Sequence, residues 1–143
     1  MLQTKAFDFH QQIPAVYQAM GGLEQVIADQ GIDPVLRHLV KLRASQINGC
    51  AYCVKMHSQE ARKDGETNER LDRLVVWDLV DDFTEREKAA LAWTEALTVL
   101  DRGADLSAVK ARLLEHFSDP EVSTLTALIA MINLWNRMGI AAH

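Results

Sequence analysis

"RASQINGCAYCVKMHSQEA", residues Arg43–Ala61, holds both cysteines of the chain, Cys50 and Cys53, with His57 four residues after the second. A C-x-x-C pair serves several chemistries, and the element that carries it separates them. Thioredoxin-type proteins place the pair after a strand of a βαβ unit. Here the flanking sequence is helical. Upstream, "GIDPVLRHLVKLRASQING" (Gly31–Gly49) opens with Asp33 as an N-cap and Pro34 at the first helical position. Val35, Leu36, Leu39, Leu42 and Ile47 form its apolar face. Asn48-Gly49 closes it, because both residues tolerate the left-handed conformation of a C-cap. Downstream, a second helix starts near Cys50 and runs to about Lys63, before Gly65.

Further from this stretch the signals stay helical. "TNERLDRLVVW" reads as a short helix capped by Thr67 or Asn68. "TEREKAALAWTEALTVL" opens with a capping box, Thr84 and Glu87, and carries an apolar stripe from Ala90 through Leu91, Trp93 and Leu97 to Leu100. Gly103 is expected to stop it. "DLSAVKARLLEHF" predicts an amphipathic helix from Asp105. The last helix opens with a second capping box, Ser118 and Glu121, with Pro120 in its first turn. From Val122 to Met138 it is apolar on nearly every face, which predicts burial on all sides, in the core or against another subunit. The N-terminal segment predicts one helix, roughly Pro14 to Gln30. No alternating strand pattern exceeds four residues, and no linker or repeat interrupts the chain. The expectation is all-α: one domain over residues 1–143, built of six or seven helices.

Composition narrows the function. Apolar residues make up 48% and charged residues 24% of the 143, near the averages for globular proteins. The formal charge of −5, from 15 basic and 20 acidic side chains, argues against nucleic-acid binding, which needs a basic footprint. No uninterrupted apolar run reaches the ~18 residues of a membrane span. "MLQTKAFDFHQQ" lacks the apolar core of a signal peptide, so a cytoplasmic location is expected and no membrane partner. Two cysteines are too few for a secreted disulfide scaffold of this length. In a reducing compartment a close pair points to catalysis, redox sensing or metal binding.

With Cys50 in the first helical turn, Cys53 follows at i+3 and His57 at i+7, all on one face. Neighbours three apart on a helix have Cβ atoms about 5–6 Å apart. A disulfide wants roughly 3.5–4.5 Å, so a small adjustment permits reversible bonding. The helix N-terminus favours an anion at Cys50, and an imidazole one turn from Cys53 favours a thiolate there. Spacing leaves open which sulfur attacks. A zinc site is the rival reading, with Cys50, Cys53, His57 and His38 as its four ligands. A dithiol switch acting on a partner, with little catalysis, is another. His10, His116 and His143 read as surface residues, and Trp93 and Trp135 as packing. Asn133, Asn136 and Arg137 interrupt the apolar last helix and need partners, since unpaired burial costs about 1–3 kcal/mol each.

"LVKLRASQINGCAYCVKMH", "ARKDGETNERL", "FTEREKAALAWTEALT" and "LIAMINLWNR" together resemble the AhpD-like branch of the carboxymuconolactone decarboxylase family. The resemblance covers roughly Pro34 to Met138 and is strongest at C-x-x-C-x-x-x-H. It implies an all-α fold, assembly as homotrimers or as hexamers built from them, and no metal or organic cofactor. It implies a hydroperoxide substrate and a dithiol reductant. On the family's scheme Cys53 is attacked by peroxide, Cys50 resolves, and His57 serves the proton relay. Two positions depart from the pattern. The relay glutamate twelve residues before the first cysteine is His38 here, and the histidine between the cysteines of AhpD is Tyr52. His38 can pass a proton, since an imidazole titrates near neutrality, but it brings no fixed negative charge. Branches that decarboxylate lactones lack the cysteine pair, so decarboxylation is not the favoured reading.

Overall fold

The computed structural model describes residues 5–143, and among them every regular element is a helix. In chain order these are α1 (Phe9–Gln12), α2 (Pro14–Ala28), α3 (Pro34–Asn48), α4 (Ala51–Lys63), α5 (Asn68–Arg73), a 3-10 segment (Leu74–Leu79), α6 (Glu85–Val99), α7 (Ser107–Leu114) and α8 (Asp119–Ala142). The all-α expectation holds, with eight α-helices where six or seven were expected. The additional one is the single turn α1. Pro14 separates it from α2, because a residue preceding proline is pushed out of the helical region; Ile13 sits at φ −132°, ψ 59°.

Local chemistry explains the helix boundaries. The Asp33 carboxylate accepts from the Val35 N–H at 2.9 Å, and Gly49 ends α3 at φ 69°. Both capping boxes form, at Thr84/Glu87 and Ser118/Glu121. Two boundaries differ from expectation. α6 stops at Leu100, which itself takes the left-handed conformation (φ 52°), so the chain turns before Gly103 is reached. α7 starts at Ser107, and Asp105 instead accepts from the Ser107 N–H.

α3 is the central element, packed on α4, α6 and α8. Leu36 and Val40 join a large core with Trp93, Leu125, Leu128 and Ile129, while Leu39 and Leu42 join a second one with Leu74, Trp77 and Leu91. Burying such a leucine contributes about 1.5–3 kcal/mol, so α3 is held from two sides. The polar residues of α8 do find partners. Asn136, fully buried, donates to Ser45 Oγ at 2.9 Å and accepts from Asn48 Nδ2 at 2.9 Å. Asn133 accepts from Asn48 at 3.0 Å and donates to Thr98 Oγ1 at 3.1 Å. Arg137 bonds the Asn133 carbonyl at 3.0 Å.

α8 departs from expectation in two ways. It is not buried on all sides: Ala127, Ala130, Leu134, Arg137 and Ile140 stay exposed along one stripe. Its 24 residues are also long and apolar enough to cross a membrane, although no uninterrupted apolar run has that length. In the fold its other face packs against α2, α3, α4 and α6.

Candidate active site

The α3–α4 turn places the cysteines. Cys50 is the N-cap of α4, with extended backbone (φ −83°, ψ 94°), one residue outside the first turn expected for it. Its Sγ accepts from the Cys53 N–H at 3.3 Å, as a serine or aspartate cap would. The two cysteines are disulfide-bonded, with Cα atoms 5.3 Å apart, inside the usual range of about 4.4–6.8 Å. On reduction the Cys50 thiol lies among the free N–H groups of the helix start, where an anion is favoured. Both residues are buried, at 2% and 3% exposure. The disulfide lies against α8 at Gly139, where an added Cβ would come within 3.1 Å of one sulfur and 3.2 Å of the other. Nothing larger than glycine fits there without displacement.

His57 stands one turn beyond Cys53 and is 5% exposed. Its Nδ1 bonds Glu60 Oε2 at 3.2 Å, while the buried Nε2 has no partner in the protein. A ring nitrogen facing a carboxylate carries the hydrogen, so Nε2 holds the free lone pair. Burial and then the Lys41 ammonium push the imidazole below its ordinary value, against the opposing Glu60 carboxylate. His57 is therefore neutral at pH 7 and competent as a base. Lys41, from α3, pairs with Glu24 of α2, and Glu24 also accepts from Trp135 Nε1 at 3.2 Å.

These groups open on a cavity of about 650 Å³. Cys53 and His57 line it; Cys50 does not. Glu24, Lys41 and Glu60 supply its polar wall, and Tyr17, Tyr52, Met56, Trp135 and Met138 much of its apolar one. Residues 6–10 and His143 complete it. The structure thus brings Cys50, Cys53 and His57 together. His38 is placed elsewhere: its Nε2 meets Asp64 Oδ2 at 2.5 Å, and it is absent from the cavity wall. That bond is the main reason the Asp64 carboxyl lies below its usual range. His57 receives its carboxylate from Glu60, on its own helix, rather than from position 38 of α3. Among the described residues no group of three or more His, Cys, Asp or Glu is placed to hold a metal ion.

Sequence reasoning missed Glu24, Lys41, Glu60 and Gly139. The spacing His57–Glu60 was readable as an i,i+3 pair. Glu24 and Gly139 reach the site only through tertiary packing. His10 and His143, read as surface residues, are exposed but border the cavity. Trp135 packs as expected and lines the cavity as well.

The model of the carboxymuconolactone decarboxylase family matches residues 14–96, more than half of the chain. The chain belongs to this family. YdfG of Bacillus subtilis (strain 168), itself uncharacterized, is 35% identical over 138 residues, covering 96% of this chain and 94% of that protein. YnjA of Escherichia coli (strain K12), also uncharacterized, is 33% identical over 110 residues, covering 77% of this chain and 60% of that protein. Among solved structures, a protein of unknown function from Agrobacterium tumefaciens, linked by name to the antioxidant defence protein AhpD, superposes with a TM-score of 0.91. It is 36% identical, and the match covers 97% of this chain and 95% of that one. The debrominase Bmp8, in complex with 2,3,4-tribromopyrrole, gives a TM-score of 0.83 at 23% identity, over 92% of this chain and 71% of its own, a likeness of fold alone. The AhpD-like resemblance of the sequence is borne out at the level of family and fold.

Proposed function

We propose that the protein is a thiol-dependent peroxidase, a disulfide oxidoreductase of the AhpD-like type. One observation carries this reading: of the two bonded sulfurs, Cys53 alone lines the cavity, beside a neutral imidazole with a free Nε2. In the reduced protein His57 takes the Cys53 proton. The thiolate attacks the outer oxygen of a hydroperoxide, the O–O bond breaks, and the alkoxide leaves as an alcohol with the proton from His57. Cys53 is then a sulfenic acid. The Cys50 thiol, held at the start of α4, gives up its proton and attacks that sulfur; the hydroxide leaves with this proton as water, closing the disulfide. A dithiol carrier supplies two electrons and two protons by thiol–disulfide exchange and restores both thiols. Glu60 orients His57. In this scheme His38, which the resemblance places at the relay glutamate, acts on the reaction only at a distance, through its bond to Asp64 at the end of α4.

The test is a thiol count. The reduced protein is given one equivalent of an organic hydroperoxide, and peroxide loss is followed with a dithiol present. Loss of both thiols per subunit with repeated turnover is expected, and Cys53→Ser abolishes it. Full activity in that variant overturns the assignment. Loss of both thiols without turnover favours the redox-switch reading, which the contact of the disulfide with α8 supports.

Two further expectations belong to this proposal. A homotrimer, or a hexamer built from two trimers, is supported by the exposed α8 stripe, where Leu134 is 39% and Ile140 49% exposed; sedimentation of a strict monomer overturns it. A cytoplasmic location fits a pair that must be reduced to work.

A further inference from the structure

We infer that the cavity beside Cys53 is built for a bulky aromatic hydroperoxide, one that carries its –OOH on a short arm attached to a ring. The inference rests on the peroxidase reading and names the substrate class of that same site. Hydrogen peroxide fills about the space of two water molecules, roughly 60 Å³ at ~30 Å³ each. A cavity of about 650 Å³ lies instead in the range of sites for small organic ligands.

The wall decides the class. Tyr17 and Trp135 meet edge to face, with ring centroids 5.4 Å apart at 70°. His10 also meets Tyr17 edge to face, at 5.2 Å and 76°. Tyr52 and His143 face each other across 5.2 Å. All five rings border the cavity, and they come from both ends of the described chain as well as from α2, α4 and α8. Rings set at these angles offer both edges and faces to a guest, and an aromatic guest gains from them beyond the area it buries. An aliphatic chain gains only the area. Of the charged groups that the described residues put in the wall, the one cation, Lys41, is paired with Glu24, and Asp8 and Glu60 are carboxylates, so no free cation calls for an anionic guest. Cys53 and His57 fix the reacting end, and the ring has the aromatic residues of the same wall to pack against.

The experiment compares kcat/KM for cumene hydroperoxide, tert-butyl hydroperoxide, hydrogen peroxide and linoleic acid hydroperoxide on the full chain. It is paired with a binding measurement that needs no chemistry. The alcohol 2-phenyl-2-propanol is titrated against tert-butanol, read by Trp135 fluorescence and zeroed with Trp135→Phe. At least about a tenfold preference for cumene hydroperoxide over tert-butyl hydroperoxide is expected, falling several-fold in Tyr52→Ala through KM and retained in Tyr52→Phe. Tyr52 is 55% exposed, so its truncation leaves the core intact. Equal turnover of the four peroxides, or a preference for the fatty-acid hydroperoxide, overturns the inference and leaves the peroxidase reading standing. No turnover of any peroxide, with the phenyl alcohol still bound selectively, supports the aromatic cavity and overturns the peroxidase reading. Neither turnover nor selective binding overturns both.

Discussion

Replacing Asn136 by alanine probes the polar tie that holds the α3–α4 turn, and with it Cys50, against α8. Asn136 is fully buried and makes two side-chain bonds of 2.9 Å each, to Ser45 and from Asn48. Each net hydrogen bond is worth about 1 kcal/mol. The groups left behind are not orphaned. Ser45 Oγ still donates to the Lys41 carbonyl at 2.7 Å, and Asn48 Nδ2 still reaches Asn133 at 3.0 Å. The full penalty for a buried unpaired donor is therefore absent. The void left in a closed core adds on the order of 1 kcal/mol. The expected loss is about 3 kcal/mol, and for a chain of this size a fall in Tm of roughly 10 °C. Urea unfolding of the reduced protein measures it, with m unchanged as the control. Ser45→Ala and the double variant complete a cycle, in which the pair should couple by at least about 0.5 kcal/mol. A loss below about 0.5 kcal/mol, the range of a surface substitution, refutes the reasoning.

Other perturbations address the site and its supports. His57→Gln removes the base and should slow the peroxide step by about 10²–10⁴, measured by stopped-flow oxidation of the thiols. Burial and Lys41 hold His57 below its ordinary 6.5, so the wild-type acid limb should fall below pH 6.5; a limb above it contradicts a neutral, buried base. The same shift has a stability consequence of definite sign. Between the folded value and 6.5 the unfolded chain binds more protons at His57, so stability is lost as pH falls through that window, and His57→Gln should flatten the loss. Arg70→Ala strands Glu66, whose side chain is 3% exposed, together with Glu87, at about 3 kcal/mol by urea unfolding. Gly139→Ala gains about 1 kcal/mol of helix propensity. It also presses a methyl on both sulfurs of the disulfide. The oxidised form should therefore lose about 1–2 kcal/mol relative to the reduced form, whose thiols are free to turn away, seen by unfolding both forms.

The arrangement explains how a family glutamate can be absent without leaving His57 alone. As a base, His57 needs a partner at Nδ1 to set its tautomer and an unpartnered Nε2. Glu60 supplies the first from the same helix, and burial of the ring supplies a dry Nε2. Position 38 is then released to bond the end of α4 through Asp64.

Much of this protein is written locally. Asp33-Pro34, Asn48-Gly49, Thr84/Glu87 and Ser118/Glu121 set helix ends through bonds within a few residues, and these ends form where the sequence places them. The juxtaposition of Cys50, Cys53 and His57 is equally local, because one helical turn brings i+3 and i+4 neighbours onto one face. What tertiary structure alone decided depends on contacts distant in sequence. Glu24 meets Lys41 and Trp135 across three helices, and Gly139 meets sulfurs nearly ninety residues before it. No periodicity encodes such meetings, since they follow from how whole helices pack. The choice of Cys53 as the sulfur on the cavity is of this kind. Spacing makes the two cysteines near equals, and only the packed fold, which puts Cys53 and not Cys50 on the cavity wall, distinguishes them.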